Sequence, residues 1–165
     1  MNYGTLGKSK IKISKLCMGT MTFGSYNTKE EGFSIMDYAF SQGINFYDSA
    51  EMYPTPPSKE TKNLTNKIIG EWMSNRKNRN KIILADKIAG RSIPRNSVGW
   101  LRDNNESTRL SKEHINFAID NSLQNLQTDY IDLYQLHWPD RLGNFFYGLE
   151  YKHEVDDSIA IEETL

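Results

Sequence analysis

The chain has 165 residues, enough for one ordinary domain with a hydrophobic core. Its 20 basic and 21 acidic residues nearly cancel to a formal charge of −1, which gives no basis for binding nucleic acid or an anionic membrane. Cys17 is the single cysteine, so no intrachain disulfide can form, and we expect a reducing, cytoplasmic location. The start of the chain lacks a signal-peptide pattern, and no apolar run approaches the roughly 20 residues of a membrane span.

The first part of the chain predicts a hairpin followed by a strand, a helix and a second strand. Loose alternation at residues 3–6 and 11–13 predicts the hairpin. The apolar residues 15–20 predict a first buried strand. A helix is predicted from its N-cap, Thr28, to its terminal glycine, Gly43, and residues 44–48 predict the second strand.

The middle of the chain continues the alternation. A polar, proline-rich loop at 49–61 leads into a helix predicted over residues 62–77. Residues 81–85 predict a third strand that ends near Lys87. The stretch from there to Leu110 shows no clear periodicity, and loops of this length are usually functional.

In the last part of the chain the pattern predicts one more helix and strand, and then the start of a further helix. Ser111 is a predicted N-cap for a helix over 112–126, and residues 129–136 predict a fourth strand. Residues 138–157 are irregular, and 158–165 predict the first turns of a helix. Strict alternation of strands and helices favours a parallel sheet with right-handed crossovers.

Polar residues follow each of the four predicted barrel strands, namely Thr20, Asp48, Lys87 and His137. The carboxyl ends of parallel strands share one rim, which is where such folds bind ligands. Tyr53 lies five residues beyond Asp48, within reach of the same rim. We therefore expect a carboxylate, an ammonium, an imidazole and a phenol to converge.

This set of groups suits the reduction of a carbonyl, which needs a hydride at carbon and a proton at oxygen. The Tyr53 hydroxyl can donate the proton, and a nearby ammonium such as that of Lys87 eases the donation because it stabilises the phenolate. Asp48 would fix Lys87 by an ion pair, and His137 could hydrogen-bond the carbonyl oxygen and orient it. This chemistry requires no metal.

Five segments together resemble the aldo-keto reductase family. GINFYDSAEMY (43–53) resembles the family signature that carries the aspartate and the tyrosine, and LADKIAG (84–90) is similar to its lysine segment. SLQNLQTDYIDLYQLHWPDR (122–141) resembles its histidine segment. The opening LCMGTMTFG (16–24) and the tail YGLEYKHEVDDSIAIEETL (147–165) resemble the bacterial Tas-type branch of the family.

The resemblance implies the N-terminal half of a (β/α)₈ barrel, with four parallel strands, intervening helices and a hairpin that closes the bottom. It also implies NADP(H) as cofactor and a small carbonyl compound as substrate. The cofactor would bind in an extended pose without a dinucleotide-binding glycine fingerprint, and the sequence contains no G-x-G-x-x-G run.

The resemblance assigns roles to the residues at matching positions. It makes Tyr53 the proton donor, Asp48 and Lys87 its tuning pair, and His137 the group that orients the substrate. It places the nicotinamide beside Asp48 and the segment from Gly19 through Thr20 to Met21. Trp138, together with Tyr53, would wall the substrate pocket.

The chain departs from the family pattern in two places. The family's helix after the tyrosine loop usually carries a Gly-x-Thr-Glu run, where this chain has Asn63-Leu64-Thr65-Asn66, and we expect a surface change there. The second departure is length, because a barrel of this type needs about 250 residues. We therefore interpret residues 1–165 as a partial domain that stops within the helix after the fourth barrel strand, without the family's Gly-x-Ser-Asn strand end.

Two other interpretations remain open at this point. Four strands leave two open sheet edges, so the chain could be a non-catalytic half-barrel that associates with itself or with a complementing C-terminal half. On that basis we expect the isolated chain not to be a stable monomer. A metal-dependent hydrolase using Asp48, Glu51, His137 and Asp140 is a further alternative, although no metal-ligand spacing supports it.

Overall fold

A computed structural model of the chain describes residues 1–92, 98–102, 107–143, 153 and 157–165. Within these residues the strands form a two-stranded antiparallel sheet and a four-stranded parallel sheet. None of the helices in this described part combines the length and the apolar character that crossing a membrane requires.

The predicted N-terminal hairpin is present. Its strands are β1 (Tyr3–Thr5) and β2 (Lys12–Ser14), which pair antiparallel. The Asn45 side chain donates to the backbone oxygen of Lys12 at 3.0 Å and accepts from the backbone N–H of Ser14 at 2.6 Å. Because Asn45 lies just before a strand of the parallel sheet, these bonds fix the hairpin against the amino-terminal end of that sheet.

The parallel sheet has four strands in chain order, β3 (Cys17–Gly19), β4 (Phe46–Asp48), β5 (Ile83–Ile88) and β6 (Leu133–Leu136). The predictions of 15–20, 44–48 and 129–136 for β3, β4 and β6 were too long at their amino-terminal ends. The prediction of 81–85 for β5, with an end near Lys87, began two residues too early, and β5 continues through two charged residues to Ile88.

Helices separate the strands, as predicted. They are α1 (Lys29–Ser41), α2 (Leu64–Arg76), α3 (Lys112–Leu126) and a short α4 (Ile161–Thr164). Short 3₁₀ turns occur at Arg79–Lys81 and Gly99–Leu101. The order of elements and the parallel pairing confirm the N-terminal half of a (β/α)₈ barrel. Parts of the aperiodic stretch before Leu110 and most of 138–157 lie outside the described residues.

The N-caps follow the sequence signals. The Thr28 hydroxyl accepts from the backbone N–H of Glu31, and the Glu31 carboxylate accepts from the backbone N–H of Thr28. This reciprocal capping box fixes the start of α1. The Ser111 hydroxyl accepts from the backbone N–H of His114 and caps α3 in the same way. Gly43 follows α1 with a φ of 82°, a conformation that favours glycine.

The hydrophobic core lies between the parallel sheet and its helices. Trp72 of α2 is fully buried and stacks on Tyr47 of β4 with ring centroids 5.3 Å apart, and Met36, Ile69 and Leu84 pack around them. The Trp72 indole N–H donates to Asp37 of α1 at 2.8 Å, so α1 and α2 are joined by a polar contact as well. This layer holds the strands in place.

The opposite, concave face of the sheet is open in the described part of the chain. Cys17 and Gly19 of β3 are exposed, so the expectation that β3 is a buried strand was wrong. Strand alternation explains this result, because the two residues point away from the helices. Tyr53 lies against Lys87 on this face, whereas the β3 end is exposed, so this is the surface from which side chains can reach a ligand.

Candidate active site

The register of the parallel sheet places the predicted polar residues on one face. Asp48 is paired with Gly19 on one side and with Ala85 on the other. Lys87 lies two residues beyond Ala85 and is paired with Gln135. Since side chains alternate along a strand, all these positions point to the concave face. Near its carboxyl edge the sheet thus carries a row of polar groups.

Lys87 and Asp48 form an ion pair within this row. The Lys87 Nζ lies 2.6 Å from Asp48 Oδ2, and the two side chains are 13% and 28% exposed. The same Nζ donates to the backbone oxygen of Ser49 at 2.6 Å, and Gln135 Nε2 donates to Asp48 Oδ1 at 3.0 Å. Lys87 was expected just beyond its strand but lies within β5, so both the strand and the ion pair limit its movement.

Tyr53 reaches the same place from the loop after β4. The Lys87 Nζ lies 4.9 Å from the centre of the Tyr53 ring, a distance typical of cation–π contacts. The Tyr53 ring meets the His137 ring edge-on, with centroids 5.6 Å apart. Tyr53 is 8% exposed. The structure therefore brings Asp48, Tyr53, Lys87 and His137 into one cluster.

His137 follows β6 directly and is held by its backbone N–H, which donates to the oxygen of Ile88 at 2.9 Å. Its Nδ1 is buried and has no hydrogen-bond partner among the described residues. Burial lowers the pKa of His137 to about 4, and the charge of Lys87 acts in the same direction while Asp48 opposes it. At neutral pH the imidazole is uncharged and can donate one hydrogen bond and accept another.

The segment after β3 was predicted to contact a cofactor. Gly19 is exposed, and a Cβ added there would meet nothing within 4 Å. Thr20 is fully buried, and its hydroxyl donates to the backbone oxygen of Asp48 at 2.8 Å, so its side chain ties β3 to β4. Met21 is 44% exposed. Gly19 and Met21 thus leave an open surface next to Asp48, whereas the Thr20 side chain is turned inward.

Trp138 lies beside the cluster. Its ring is 5.2 Å from that of His137, and it packs in one hydrophobic group with Tyr53, Met52 and Ala89. The indole N–H donates to the backbone oxygen of Arg91 at 2.9 Å, which fixes the ring plane. Trp138 is 7% exposed.

Cys17 also lies on the concave face and is exposed. Desolvation by its neighbours raises the pKa of the thiol to about 11, the charge of Asp48 adds to this, and Lys87 opposes it. At neutral pH the group is a thiol and not the thiolate that nucleophilic chemistry needs.

The departure from the family pattern on α2 is not a surface change. Thr65 and Asn66 are fully buried and Asn63 is 7% exposed. The Ser49 hydroxyl donates to Asn66 Oδ1 at 2.5 Å, and Asn66 Nδ2 lies 3.4 Å from each carboxylate oxygen of Asp86. The expectation was wrong because the first turn of α2 packs directly behind β4 and β5, below the cluster.

The alternative metal site is not supported by its donors. Glu51 and Arg102 form a buried ion pair with Oε2 and Nη1 2.9 Å apart, and their side chains are 2% and 3% exposed. Asp140 is held in the same way by Arg109 at 2.9 Å. Within the described ranges no group of three or more His, Cys, Asp or Glu residues could hold a metal ion. Two of the four candidate ligands are thus already neutralised by arginine.

Sequence reasoning missed several polar residues around the cluster. Gln135 lies on β6 two residues before His137, which follows the strand directly, so the alternation of side chains would have placed Gln135 on the same face. Ser49, Asn66 and Asp86 carried no comparable signal, because their contacts join segments far apart in the sequence.

Parallel strands joined by helices define the chain as part of a (β/α)₈-barrel protein, and its ionisable groups gather at the carboxyl edge, where such barrels bind ligands. The family model described as "Aldo/keto reductase family" matches residues 15–165. The chain belongs to the aldo/keto reductase family.

Relatives and solved structures agree with this assignment. The chain is 43% identical over 151 residues to Protein tas of Escherichia coli (strain K12), covering 92% of this chain and 42% of that protein. It is 37% identical to norsolorinic acid reductase B of Aspergillus parasiticus, covering 92% of this chain and 38% of the relative. The chain therefore spans less than half the length of the relatives it matches.

The structure of aldo-keto reductase AKR11C1 from Bacillus halodurans, in a holo form, is similar with a TM-score of 0.62 and 33% identity, over 82% of this chain and 40% of that one. The thermostable aldo-keto reductase Tm1743, in complex with the inhibitor epalrestat, has a TM-score of 0.67 over all of this chain and 47% of its own. At 24% identity the second likeness shows the fold alone.

Proposed function

We propose that this chain carries the catalytic residues of an NADP(H)-dependent oxidoreductase that reduces aldehydes or ketones to alcohols. The observation that carries the proposal is the position of Lys87, whose ammonium touches the Asp48 carboxylate at 2.6 Å and lies 4.9 Å from the centre of the Tyr53 ring. Membership of the aldo/keto reductase family supports the oxidoreductase class.

Each residue of the cluster has a part in the proposed reaction. Tyr53 donates the proton that the carbonyl oxygen gains, and Lys87 stabilises the phenolate that remains. Asp48 keeps the ammonium in place. The neutral imidazole of His137 donates a hydrogen bond to the carbonyl oxygen and orients the substrate, and the Trp138 ring bounds the pocket.

The chain's residues fit the reactive end of a nicotinamide cofactor. A Cβ added at Gly19 would meet nothing within 4 Å, and we propose that the flat nicotinamide ring lies there, between the exposed Met21 and the partly buried Asp48. Among the residues that the structure describes, His137 Nδ1 is a buried polar atom without a hydrogen-bond partner. When bound, the reduced nicotinamide supplies the hydride. The preference for NADPH over NADH follows from the family resemblance.

The experiment is an oxidation assay with simple aldehydes, using NADPH and NADH in parallel. The chain is assayed alone and together with the part of Protein tas that lies beyond its matched region, because we propose that residues 1–165 form a partial barrel domain. Substrate-dependent oxidation that falls about 100-fold or more in Tyr53→Phe would support the proposal, since a general acid contributes that much. Cofactor oxidation that Tyr53→Phe leaves unchanged would contradict it.

A second candidate function is a half-barrel that associates with its own copy or with a complementing half. The exposed concave face at Cys17 and Gly19 favours it, as do β3 and β6, each of which has a sheet neighbour on one side only within the part of the chain that the structure describes. Sedimentation velocity tests it. We expect a concentration-dependent dimer or a larger species, and a monodisperse monomer with a cooperative melt would contradict this candidate.

A further inference from the structure

Asp86 is a fully buried carboxyl group that the proposed reaction does not use. It precedes Lys87 on β5 and therefore points to the opposite, helix-covered face of the sheet. None of the ion pairs formed by the described residues includes Asp86. A buried carboxyl without a cation is costly unless hydrogen-bond donors surround it, so its neighbours define its role.

Asn66 of α2 is the side-chain amide that faces Asp86. Its Nδ2 lies 3.4 Å from both carboxylate oxygens, while its Oδ1 accepts the Ser49 hydroxyl at 2.5 Å. Asn66 and Ser49 are themselves fully buried. The amide thus presents its donor to Asp86 and its acceptor to Ser49, and no other orientation of the amide satisfies both neighbours.

Ser49 connects this buried pair to the catalytic cluster. Its backbone oxygen accepts from Lys87 Nζ at 2.6 Å, and its backbone N–H donates to the oxygen of Ala85 at 2.9 Å. The ammonium therefore has two acceptors, the Asp48 carboxylate and the Ser49 carbonyl. The position of the second acceptor depends on where Asn66 holds the serine.

We propose that Asp86 and Asn66 are a positioning pair that holds Ser49 and, through its carbonyl, the Lys87 ammonium, an inference that rests on the proposed function of Lys87. The contact between positions 66 and 86 requires one carboxyl group and one amide, which here are Asp86 and Asn66. The side chain at position 66 must accept a hydrogen bond from the Ser49 hydroxyl, which a carboxylate can also do. A carboxylate at position 66 is therefore tolerated only if the side chain at position 86 is an amide that donates a hydrogen bond to it. Two buried carboxylates face to face, at a pH where both are ionised, repel each other and displace the serine, so the variants are compared at pH 8 to 9.

A double-mutant cycle tests the pair, with Asn66→Asp, Asp86→Asn and the double exchange N66D/D86N. The first readout is the rate at which sulfosuccinimidyl acetate acetylates Lys87 in the folded chain, measured by peptide mass spectrometry. We expect about a 10-fold faster modification of Lys87 in N66D, because its amine loses one hydrogen-bond acceptor. The exchange variant should return to within about 3-fold of the unmodified chain.

A matched control separates positioning from stability. Asn78→Asp also introduces a carboxylate at a buried amide, which is 4% exposed and lies outside the cluster. We expect N78D to lower thermal stability and to leave Lys87 modification unchanged. If N66D does not fold, Ser49→Ala replaces it in the test. This variant removes only the hydroxyl that contacts Asn66, and we expect it to accelerate Lys87 modification several-fold.

The second readout is cofactor oxidation with an aldehyde, in which N66D should lower kcat and leave KM nearly unchanged, and the exchange should restore kcat. The proposal is overturned if N66D and S49A leave Lys87 modification unchanged, or if the exchange variant is modified as fast as N66D. The labelling needs no cofactor. If the labelling pattern is seen but reductase activity is absent even with the complementing part of Protein tas, the proposed function is refuted and the positioning pair is supported.

Discussion

Lys87 is the residue through which the other groups of the cluster are connected. Its ammonium bonds to Asp48 and to the Ser49 carbonyl, and it lies against the Tyr53 ring. With only 13% of the side chain exposed, the ammonium has lost most of its water and depends on these acceptors. The same contacts that stabilise the charge also hold it next to the phenol that we propose as proton donor.

Replacing Asp48 with asparagine removes the counter-ion at nearly constant size. We expect the free energy of unfolding to fall by about 1–3 kcal/mol, because a largely buried ammonium keeps one neutral acceptor in place of a carboxylate. Urea denaturation followed by tryptophan fluorescence measures the change. Glu71→Gln is the matched control, since the Lys29–Glu71 pair is well exposed, and its loss should be much smaller. Equal losses in the two variants would contradict this interpretation.

The buried Asp86 carboxyl makes stability depend on pH. Burial raises its pKa to about 6, Glu51 adds to this, and the Ser122 hydroxyl, the Lys87 backbone N–H and Asn66 oppose it. Because the pKa of Asp86 is higher in the folded chain than in the unfolded chain, the protonated carboxyl stabilises the fold. This stabilisation is fully present below the unfolded-state pKa of about 3.9 and is lost as pH rises through the folded-state pKa of about 6. Asp86→Asn should therefore gain stability relative to the unmodified chain, on the order of 2 kcal/mol, between pH 4 and pH 7.

The measurement is the difference between the two unfolding free energies across that range. His137 titrates in the opposite sense, because its folded pKa of about 4 lies below its unfolded value, but it is present in both proteins and cancels in the difference. Asp37→Asn is the control: Arg76 lowers the pKa of Asp37, so the contribution of Asp37 changes only below about pH 4 and its difference should stay nearly constant over this range. A difference that does not vary with pH would show that Asp86 has no raised pKa.

At the scale of single residues, the sequence predicts groups that lie on strand ends and misses those that join distant segments. Asp48 lies at the end of β4 and His137 directly after β6, as expected, because the runs at 44–48 and 129–136 mark those two strands in the sequence. The amide of Asn66 was expected at the surface, because nothing in the run from 63 to 66 shows that this turn of α2 lies behind two strands. Only the packed structure shows that contact.

At the scale of elements, the helices were predicted better than the strands. Thr28 and Ser111 mark helix starts by a side-chain chemistry that acts within one turn, so the sequence contains the whole signal. Strand ends depend on pairing with neighbours. Strand β5 runs through Asp86 and Lys87 to Ile88, although two charged residues usually mark the end of a strand. The strand can continue because Asp86 contacts buried partners on one face of the sheet and Lys87 forms its ion pair on the other face.

The contact between α2 and α3 depends on Gly70. A Cβ at this position would lie 2.5 Å from the backbone oxygen of Asn125 and 2.6 Å from the carbonyl carbon of Leu126. Backbone atoms cannot move aside cheaply, so the two helices would have to separate. The close approach matters for the site because α2 carries Asn66 and α3 carries Ser122, which line the Asp86 pocket.

We therefore expect Gly70→Ala to destabilise the chain by about 1–3 kcal/mol, even though alanine is the better helix former by about 1 kcal/mol. Thermal unfolding by circular dichroism measures this. Gly32→Ala is the control within α1, where the nearest atoms to an added Cβ belong to the Phe23 ring at 3.3 Å and can shift. A stabilised Gly70→Ala variant would contradict the packing described for α2 and α3.

At the scale of the whole molecule, the parallel sheet has a covered face and an open one. The alternation of strands and helices predicted the parallel sheet, and the resemblance predicted the half-barrel, because both follow from order along the chain. The exposure of Cys17 and Gly19 was not predicted, since the apolar run at 15–20 gives no sign that one of its faces lacks a covering layer. The cluster of Asp48, Tyr53, Lys87 and His137 lies at the edge of this open face.

The central claim is that these four groups act together on one carbonyl, and hydride tracing tests it most directly. NADPH deuterated at C4 of the nicotinamide is incubated with a simple aldehyde and the chain, alone and with the complementing part of Protein tas. We expect deuterium on the carbinol carbon of the alcohol, and an initial rate about 100-fold or more lower in Tyr53→Phe. Alcohol without deuterium, or labelled alcohol formed equally fast by Tyr53→Phe, would contradict it.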